Sequence, residues 1–122
     1  MHLKIYKHKI DWYCSISNLQ EIVYALTNYS HWNDYILLTQ KGKEHYKILN
    51  LYLSKTDEDK IYSTDDKCVI YISEDSLGLL ESCTNILDEN INSYSYELND
   101  LFYDKENEWV GFYLYIDRTR PK

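Results

Sequence analysis

The sequence contains little glycine, proline or cysteine and has no long apolar run. Its 122 residues include three Gly, one Pro and three Cys. No stretch approaches the ~20 consecutive apolar residues that a membrane helix requires. The first ten residues contain three Lys and two His in place of the apolar segment of a signal peptide. The sequence therefore predicts a cytoplasmic chain without a membrane span.

Signatures of catalysis and of phosphate or metal binding are also missing. The four His show no HExxH spacing, the Cys form no CxxC pair, and the Gly form no phosphate-binding loop. We expect Cys14, Cys68 and Cys83 to be reduced and mostly buried. A nucleophilic pair of Cys14 and His31 is left open, but no neighbouring residue supports it. The sequence thus predicts a binding protein and not an enzyme, with no cofactor and no bound metal.

One segment begins like a calcium-binding loop. Asp88, Asn90 and Asn92 place oxygen ligands at alternate positions. Ser93 then replaces the glycine that permits the sharp turn, and Asn99 stands where a bidentate Glu is needed. The spacing therefore argues against a calcium site.

The composition is that of a folded domain. Hydrophobic residues make up 44% of the chain, which contains fourteen Tyr, three Trp and two Phe. Disordered chains are poor in aromatic residues, and 122 residues are enough to bury a single core. We predict one domain that spans residues 1–122.

The first half of the chain shows strand, helix and hairpin patterns. A first strand or a loosely paired edge segment is predicted at Leu3–Trp12. A helix capped by Ser17, with Gln20 completing a capping box, should follow and end near residues 28–30. Runs at Tyr35–Thr39 and Tyr46–Ser54 flank a glycine-containing loop and predict a hairpin. The residues expected in the core are Leu19, Ile22, Val23, Leu26, Leu49, Leu51 and Leu53.

The second half is predicted to begin with a long polar connection at residues 55–67, with at most a two-residue strand at Ile61–Tyr62. A strand buried on both faces follows at Cys68–Ile72, and Ser73 should cap a helix. The strand Glu108–Asp117 ends the domain. Its core face should contain Val110, Phe112, Leu114 and Ile116.

These elements define an α+β domain. The predicted order is β-α-β-β-β-α-α-β, and the strands should form a mostly antiparallel sheet of about five strands with the helices packed on it. No internal repeat is evident in the sequence.

The segment Glu74–Asp104 carries eight acids and no Lys, Arg or His. Its apolar residues recur at steps of three and four, which is typical of a helical face. A single helix of this length would span ~45 Å, more than the ~35 Å expected for the domain. We therefore predict two helices, at about 74–89 and 94–104, bent around Asn90–Ser93. A strand at Ile91–Tyr96 is the alternative.

The acids of this segment are the candidate binding surface. Like charges on a helix repel one another, so an accumulation of acids indicates that the charge has a function. A run of charges is also typical of a surface that only faces solvent. Glu74, Glu81 and Asp88 are seven residues apart and would lie on one side of a helix. Nearby aromatic residues would supply anchors. The predicted partner-binding residues are Glu74, Glu81, Asp88, Glu89, Tyr94, Tyr96, Glu97, Asp100, Tyr103, Asp104 and Trp109.

The charge distribution indicates a basic protein as the partner. The formal charge of the whole chain is −7, with residues 1–56 contributing +3 and residues 57–122 contributing −10. An acidic surface repels nucleic acid and anionic lipid and attracts basic proteins. Direct binding to nucleic acid or to a membrane is therefore not expected, and the oligomeric state is left open.

In overall character the chain resembles the immunity proteins of bacterial polymorphic and contact-dependent growth-inhibition toxins. The resemblance lies in a short, acidic α+β chain rich in Tyr, Ile and Asn, and no single motif carries it. It implies a cytoplasmic protein that neutralises a toxin domain, commonly a basic nuclease, by covering its active site or its substrate surface.

Three other functions fit parts of the sequence. A phage- or plasmid-encoded inhibitor that mimics DNA would share the acidity. A small enzyme would need a deep pocket with perturbed carboxylates or His. A structural subunit would associate with itself through its aromatic strand.

Overall fold

The computed structural model describes residues 1–63, 67–84, 93–97, 101–103 and 109–117, and the side chains of residues 1–62, 67–84 and 111–116. The described chain contains two helices and nine strands that belong to a single sheet. In chain order they are β1 (His2–Ile5), β2 (Lys9–Ser15), α1 (Ile16–Tyr29), β3 (His31–Gln40), β4 (Lys43–Leu53), β5 (Asp59–Ser63), β6 (Lys67–Ile72), α2 (Glu74–Thr84), β7 (Ser93–Glu97), β8 (Leu101–Tyr103) and β9 (Trp109–Asp117).

Antiparallel hairpins joined by parallel pairings make up the sheet. β1 pairs with β2, β3 with β4 and β5 with β6, while β7 and β8 both pair with β9. Neighbouring hairpins meet in parallel at β1–β3, β4–β6, β5–β8 and β2–β9. The β2–β9 pairing joins two distant members of the strand order, so the sheet curls round and closes on itself.

The α+β class is confirmed, but two details of the prediction are wrong. Nine strands are described where about five were expected, and the predicted second of the two acidic helices is absent from the described chain. The sheet is also mixed, since five of its described pairings are antiparallel and four are parallel.

The closed sheet consists of two halves with the same topology. The strand order β2-β1-β3-β4 around α1 is repeated as β6-β5-β8-β9 around α2. The registers of the strand pairs agree as well. Leu3 pairs with Trp12 in the first half, and the residues 58 positions later, Ile61 and Ile70, pair with each other in the second half. Ser15 and Ser73, also 58 apart, cap the two helices. The fold therefore contains a ββαββ unit twice, and the second half has one further strand, β7, which pairs with β9.

The two seams between these halves are equivalent too. At the β4–β6 seam Leu49 lies opposite Cys68, and at the β9–β2 seam Phe112 lies opposite Ile10. Cys68 and Ile10 are again 58 residues apart. A pseudo-twofold arrangement therefore relates positions in one half to positions in the other.

One hydrophobic core fills the inside of the curled sheet. Alternate residues of each strand face this core, and Trp12 stacks on Phe112 with ring centroids 5.6 Å apart. Because β1 and β3 run in parallel, their hairpin turns lie at the same end of the sheet. α1 starts and finishes at the opposite end, where it contacts α2. The helices thus cover one end of the core and do not cover the outer face of the sheet.

The first strand was predicted too long, and the cap of α1 was misplaced by two residues. Tyr6 N–H donates to the Lys9 carbonyl at 2.8 Å, which closes a turn inside the predicted strand. Ser15 caps α1 by accepting the Asn18 N–H at 3.1 Å, so Ser17 lies within the helix. The predicted core positions Leu19, Ile22, Val23 and Leu26 are confirmed, as is the end of the helix at Ser30.

The predicted β3–β4 hairpin is confirmed, with longer strands and a two-residue loop. Lys41 and Gly42 have φ angles of 54° and 74°, and positive φ at both positions is typical of a type I′ turn. Leu49 and Leu51 are fully buried as predicted, while Leu53 is only half-buried.

The polar connection predicted at residues 55–67 contains a five-residue strand, β5, where at most two residues were expected. The strand predicted at Cys68–Ile72 is confirmed as β6, which lies between β4 and β5. Its outward side chains Val69 and Tyr71 are half-buried, so only one face is fully covered. In β9, Phe112, Leu114 and Ile116 face the core as predicted, and the side chain of Val110 lies outside the described residues.

The acidic segment Glu74–Asp104 differs most from its prediction. The first predicted helix is confirmed as α2, described as far as Thr84, and Ser73 caps it by accepting the Ser76 N–H at 3.2 Å. The helix predicted at 94–104 is wrong, because β7 and β8 lie there. The alternative, a strand at Ile91–Tyr96, is nearer to the observed β7. Neither described helix is long and apolar enough to cross a membrane.

Candidate functional surfaces

Exposed carboxylates gather at the N-terminal end of α2. Glu74 and Asp75 occupy the first turn of the helix and are exposed, as are Asp57 and Glu58 in the connection before β5. The buried carboxylate of Asp59 accepts hydrogen bonds from the Ser73 N–H and the Ser76 hydroxyl, both at 2.6 Å. This contact holds the connection against the helix. We call the four exposed residues Asp57, Glu58, Glu74 and Asp75 the acidic end.

Two lysines, Lys55 and Lys60, flank Asp57 and Glu58 in the chain, and Lys55 is exposed. Lys60 Nζ lies 3.8 Å from Glu58 Oε2, and both side chains are about half exposed, so water weakens this ion pair. Glu81 lies seven residues after Glu74 and is exposed on the same side of α2. Negative charge in the first turn is favoured by the helix dipole, which explains how α2 accommodates Glu74 and Asp75.

The remaining predicted site residues do not extend this helical surface. Residues 94, 96 and 97 lie in β7, residue 103 in β8 and residue 109 in β9, and only their backbone is described. The predicted seven-residue spacing along one helix is therefore described only for Glu74 and Glu81. The other predicted residues, Asp88, Glu89, Asp100 and Asp104, lie outside the described residues.

A second surface was not predicted. The outward side chains of β3, β4, β6 and β5 form a field in which Tyr, His and aliphatic residues predominate, without an acid. The nearest carboxylate on the outer side of β4 is Glu44, at the tip of the hairpin. We call this field the aromatic face; it consists of His31, Asn33, Tyr35, Leu37, Tyr46, Ile48, Asn50, Tyr52, Lys60, Tyr62, Lys67, Val69 and Tyr71.

One part of the aromatic face is a ladder of ring contacts that crosses the four strands. Ring centroids are 4.6 Å apart for His31 and Tyr52, 5.6 Å for Tyr52 and Tyr71, and 5.7 Å for Tyr71 and Tyr62. His31 Nε2 lies 3.2 Å from the Asn50 side-chain oxygen. The His31–Tyr52 and Tyr52–Tyr71 contacts are stacked, and the Tyr71–Tyr62 contact is edge-to-face. Such ring contacts stabilise the sheet.

The other part is exposed. Tyr35 and Tyr46 are 68% and 72% accessible, and neither ring stacks on another ring among the described residues. Tyr35 lies opposite Ile48, and Leu37 lies opposite Tyr46. These four residues form an apolar patch two strands wide, which we call the hairpin patch.

The outer face of the other half is more polar. Tyr13 stacks on Tyr115 with centroids 4.8 Å apart, and the Lys4 ammonium lies 5.4 Å from the Tyr13 ring centre. Asp11 is 3% accessible, and its Oδ2 is 3.4 Å from Lys9 Nζ. The hydrogen bond to Asp11 raises the pKa of Lys9. The charges of Lys9 and Asp11 are thus paired with each other.

None of the three cysteines is placed as a nucleophile. The three cysteines are free and buried, and burial raises the thiol pKa to about 12 for Cys14 and Cys68 and to about 11 for Cys83. A reactive thiol needs a lowered pKa. Cys14 also faces the core while His31 lies on the outer face, so the open Cys14–His31 pair is wrong.

No group of three or more His, Cys, Asp or Glu side chains within the described ranges is placed to hold a metal ion. Comparisons with protein-family models, with curated proteins and with solved structures find no match for this chain. Its function is therefore argued from its own surfaces.

The sequence contained a signal for the aromatic face. Outward residues in β3 and β4 alternate with core residues, so that Tyr35 and Leu37 share a face, as do Tyr46, Ile48 and Tyr52. The patterns identified the core side of the hairpin correctly. These residues lie within the predicted strands, but the pairing that places Tyr35 opposite Ile48 and Leu37 opposite Tyr46 was not predicted.

Proposed function

We propose that this chain is an immunity protein that binds a toxin domain in the cytoplasm and neutralises it. The observation that carries the proposal is the acidic end, where four exposed carboxylates lie around the start of one helix. Such a surface would attract a basic partner and raise its rate of association. A basic nuclease fits best, because its substrate-binding Lys and Arg would meet carboxylates in place of phosphates.

The chain acts here by binding and not by catalysis. Its described thiols are buried with raised pKa values, and the acids of the acidic end are solvated surface groups. Contact between Asp59 and α2 fixes the relative position of the two acidic segments. A preorganised charge pattern loses less conformational entropy on binding than a mobile one does.

The proposal is tested by capture and titration. A tagged chain is expressed in its native source, the captured protein is identified, and its affinity is measured by calorimetry at several salt concentrations. We expect a basic protein whose toxicity is suppressed by this chain. The variant Glu74→Gln/Asp75→Asn should weaken the affinity about tenfold, which is about 1.4 kcal/mol, and should reduce its salt dependence.

A matched control removes two exposed acids elsewhere. Asp34→Asn/Glu44→Gln changes the net charge by the same amount but lies on the β3–β4 hairpin. It should leave the affinity within a factor of two. Equal losses for both variants would show that only net charge matters, and an acidic or non-toxic partner would refute the proposed function.

A further inference from the structure

The closed sheet joins two halves of one chain. The first half comprises residues 1–53, the second half comprises residues 59–117, and the five residues 54–58 connect them. The halves meet along two strand seams, β4–β6 and β2–β9. The helix α1 also contacts α2 across the same boundary. The two seams and the helix contact therefore form an interface between two bodies that one short connection links.

Polar side-chain contacts tie each half to itself. In the first half, Trp32 Nε1 donates to Glu21 Oε1 at 3.2 Å and so fastens β3 to α1. In the second half, the Ser76 hydroxyl donates to the buried Asp59 carboxylate at 2.6 Å and so fastens α2 to β5. Each half thus has internal contacts that do not depend on the other half.

Backbone pairing and aromatic stacking hold the halves together. Seven residues of β2 pair with β9, and six residues of β4 pair with β6. Across the first of these seams Trp12 stacks on Phe112 in the core. Across the second seam Tyr52 stacks on Tyr71 on the outer face. These contacts require the complementary half, but they do not require that it belong to the same chain.

The connection between the halves is long enough to reach a second molecule. Because β6 lies between β4 and β5, residues 53 and 59 are separated by two strand spacings, or ~10 Å. Six Cα–Cα steps of ~3.8 Å give the connection a reach of ~23 Å. Within it, Ser54 Oγ accepts the Thr56 N–H at 3.1 Å, and Thr56 Oγ1 accepts the Glu58 N–H at 3.3 Å. Both bonds are exposed, so water replaces them at little cost.

We infer that this protein forms a dimer with a second copy of itself by an exchange of halves. The first half of one copy closes on the second half of the other copy, and both seams form with the registers that they have in one chain. The closed sheet shows what covers each open seam, since the other half pairs with it there. An exchange of identical elements is a low-cost route to a dimer. It goes beyond the proposed function and does not depend on a toxin partner.

Chain concentration decides between the monomer and the dimer. Both forms contain the same seams, so they differ mainly in the path of residues 54–58 and in the entropy of association. A short connection holds two modules at an effective concentration in the millimolar range. We therefore expect a monomer at ~10 μM and a dimer share of about a tenth or more after refolding at ~1 mM. Asp57 and Glu58 lie in the connection, so the exchange also changes the path of that part of the acidic end.

Refolding of the full chain at these two concentrations tests the inference. The chain is unfolded in urea, the urea is removed, and size-exclusion chromatography with light scattering measures the dimer fraction. The dimer formed at ~1 mM should persist after dilution to ~10 μM, because its reversal requires both seams to open. A second cycle of unfolding and refolding at ~10 μM should return it to the monomer.

A pair of cysteines across the β4–β6 seam reports whether the halves have exchanged. Asn50 lies opposite Val69, and the ~4.8 Å between neighbouring strands is within the range of Cα separations in disulfides. Oxidised glutathione should convert the dimer of Asn50→Cys/Val69→Cys into a covalent dimer on a non-reducing gel. The matched control, Asn33→Cys/Asn50→Cys, lies across β3–β4 within the first half and should give single chains only.

The length of the connection shifts the balance. Deletion of residues 55–58 leaves two Cα–Cα steps, or ~7.6 Å, which cannot cover the ~10 Å between β4 and β5 within one chain. This variant should therefore be a dimer or a larger ring already at ~10 μM. Insertion of Gly-Ser-Gly-Ser after Thr56 keeps the gap covered, and this variant should be monomeric at the same concentration.

Four outcomes would overturn the inference. They are no covalent dimer from the cross-seam cysteines after refolding at ~1 mM, a covalent dimer from the control pair as well, a folded deletion variant that is monomeric at ~10 μM, and an insertion variant that dimerises as much as the deletion variant. Circular dichroism shows whether the deletion variant folds. If it does not fold, the cross-seam cysteines in the chain of unaltered length decide the question.

Discussion

Replacement of Asp59 by Ala is the most informative perturbation of this fold. Its carboxylate is 1% accessible and accepts two hydrogen bonds of 2.6 Å from Ser73 and Ser76, which are themselves buried. The carboxylate also lies at the N-terminal end of α2, where the helix dipole favours negative charge. One side chain therefore ties β5 to the start of the helix.

The expected loss follows from these contacts. A hydrogen bond to a charged group contributes roughly 1.5–3 kcal/mol, so the two bonds give an upper range of roughly 3–6 kcal/mol. The Ser76 hydroxyl can rotate towards another acceptor, and we expect Asp59→Ala to lower the free energy of unfolding by about 3 kcal/mol. Asp59→Asn retains an acceptor for the Ser73 N–H, and its loss should be about half as large.

Urea unfolding followed by tryptophan fluorescence measures these values. A chain of this length is stable by about 6–18 kcal/mol, so a loss of about 3 kcal/mol leaves a measurable folded baseline. Asp57→Ala is the matched control, because Asp57 is exposed and should change stability by less than ~0.5 kcal/mol. Equal effects of Asp59→Ala and Asp57→Ala would refute the role given to the buried carboxylate.

Two further predictions concern titratable groups. The three buried cysteines should resist a thiol reagent at pH 8 in the native protein and react fully in urea, because burial raises their pKa values to about 11 or 12; rapid native labelling would contradict their placement. Burial, reinforced by Lys4, lowers the pKa of His2 below its ordinary value of 6.5, so neutral His2 favours the folded state above pH 6.5, and this contribution is lost as the pH falls through the lowered pKa. His2→Gln should accordingly reduce the change in unfolding free energy between pH 7 and pH 5, and an unchanged slope would exclude this role for His2.

Local patterns were reliable where one face of an element meets the core. The four core residues of α1 and the alternating Phe112, Leu114 and Ile116 of β9 were all predicted correctly. Both patterns follow from helical or strand periodicity and need no knowledge of the partner strands. The α+β class followed from them for the same reason.

Elements that depend on distant pairing were predicted less well. The turn between β1 and β2 is formed by Tyr6, Lys7 and His8 and lacks the Gly, Asn or Pro that usually indicates a turn. β7 has the sequence Ser-Tyr-Ser-Tyr-Glu, whose strict alternation competes with the helical spacing of the wider segment. Pairing with β9 decides in favour of the strand, and this partner is not visible in a local window.

The repeated ββαββ unit could not be found in the sequence either. Equivalent positions keep their orientation towards the core or the solvent but not their chemistry, as Trp12 and Ile70 or Asp11 and Val69 illustrate. Packing constrains the burial and the volume of a side chain more strongly than its residue type. Only the registers of the pairings make the correspondence visible.

The seam between β2 and β9 also has a consequence during synthesis. Residues 9–15 pair with residues 111–117, so β2 has no partner on that side until nearly the whole domain has left the ribosome. An open strand edge invites pairing with other chains. Lys9 and Asp11 lie on this strand, and charged residues of this kind discourage aggregation at an edge. Their position on β2 suits a sheet that closes only when β9 pairs with β2.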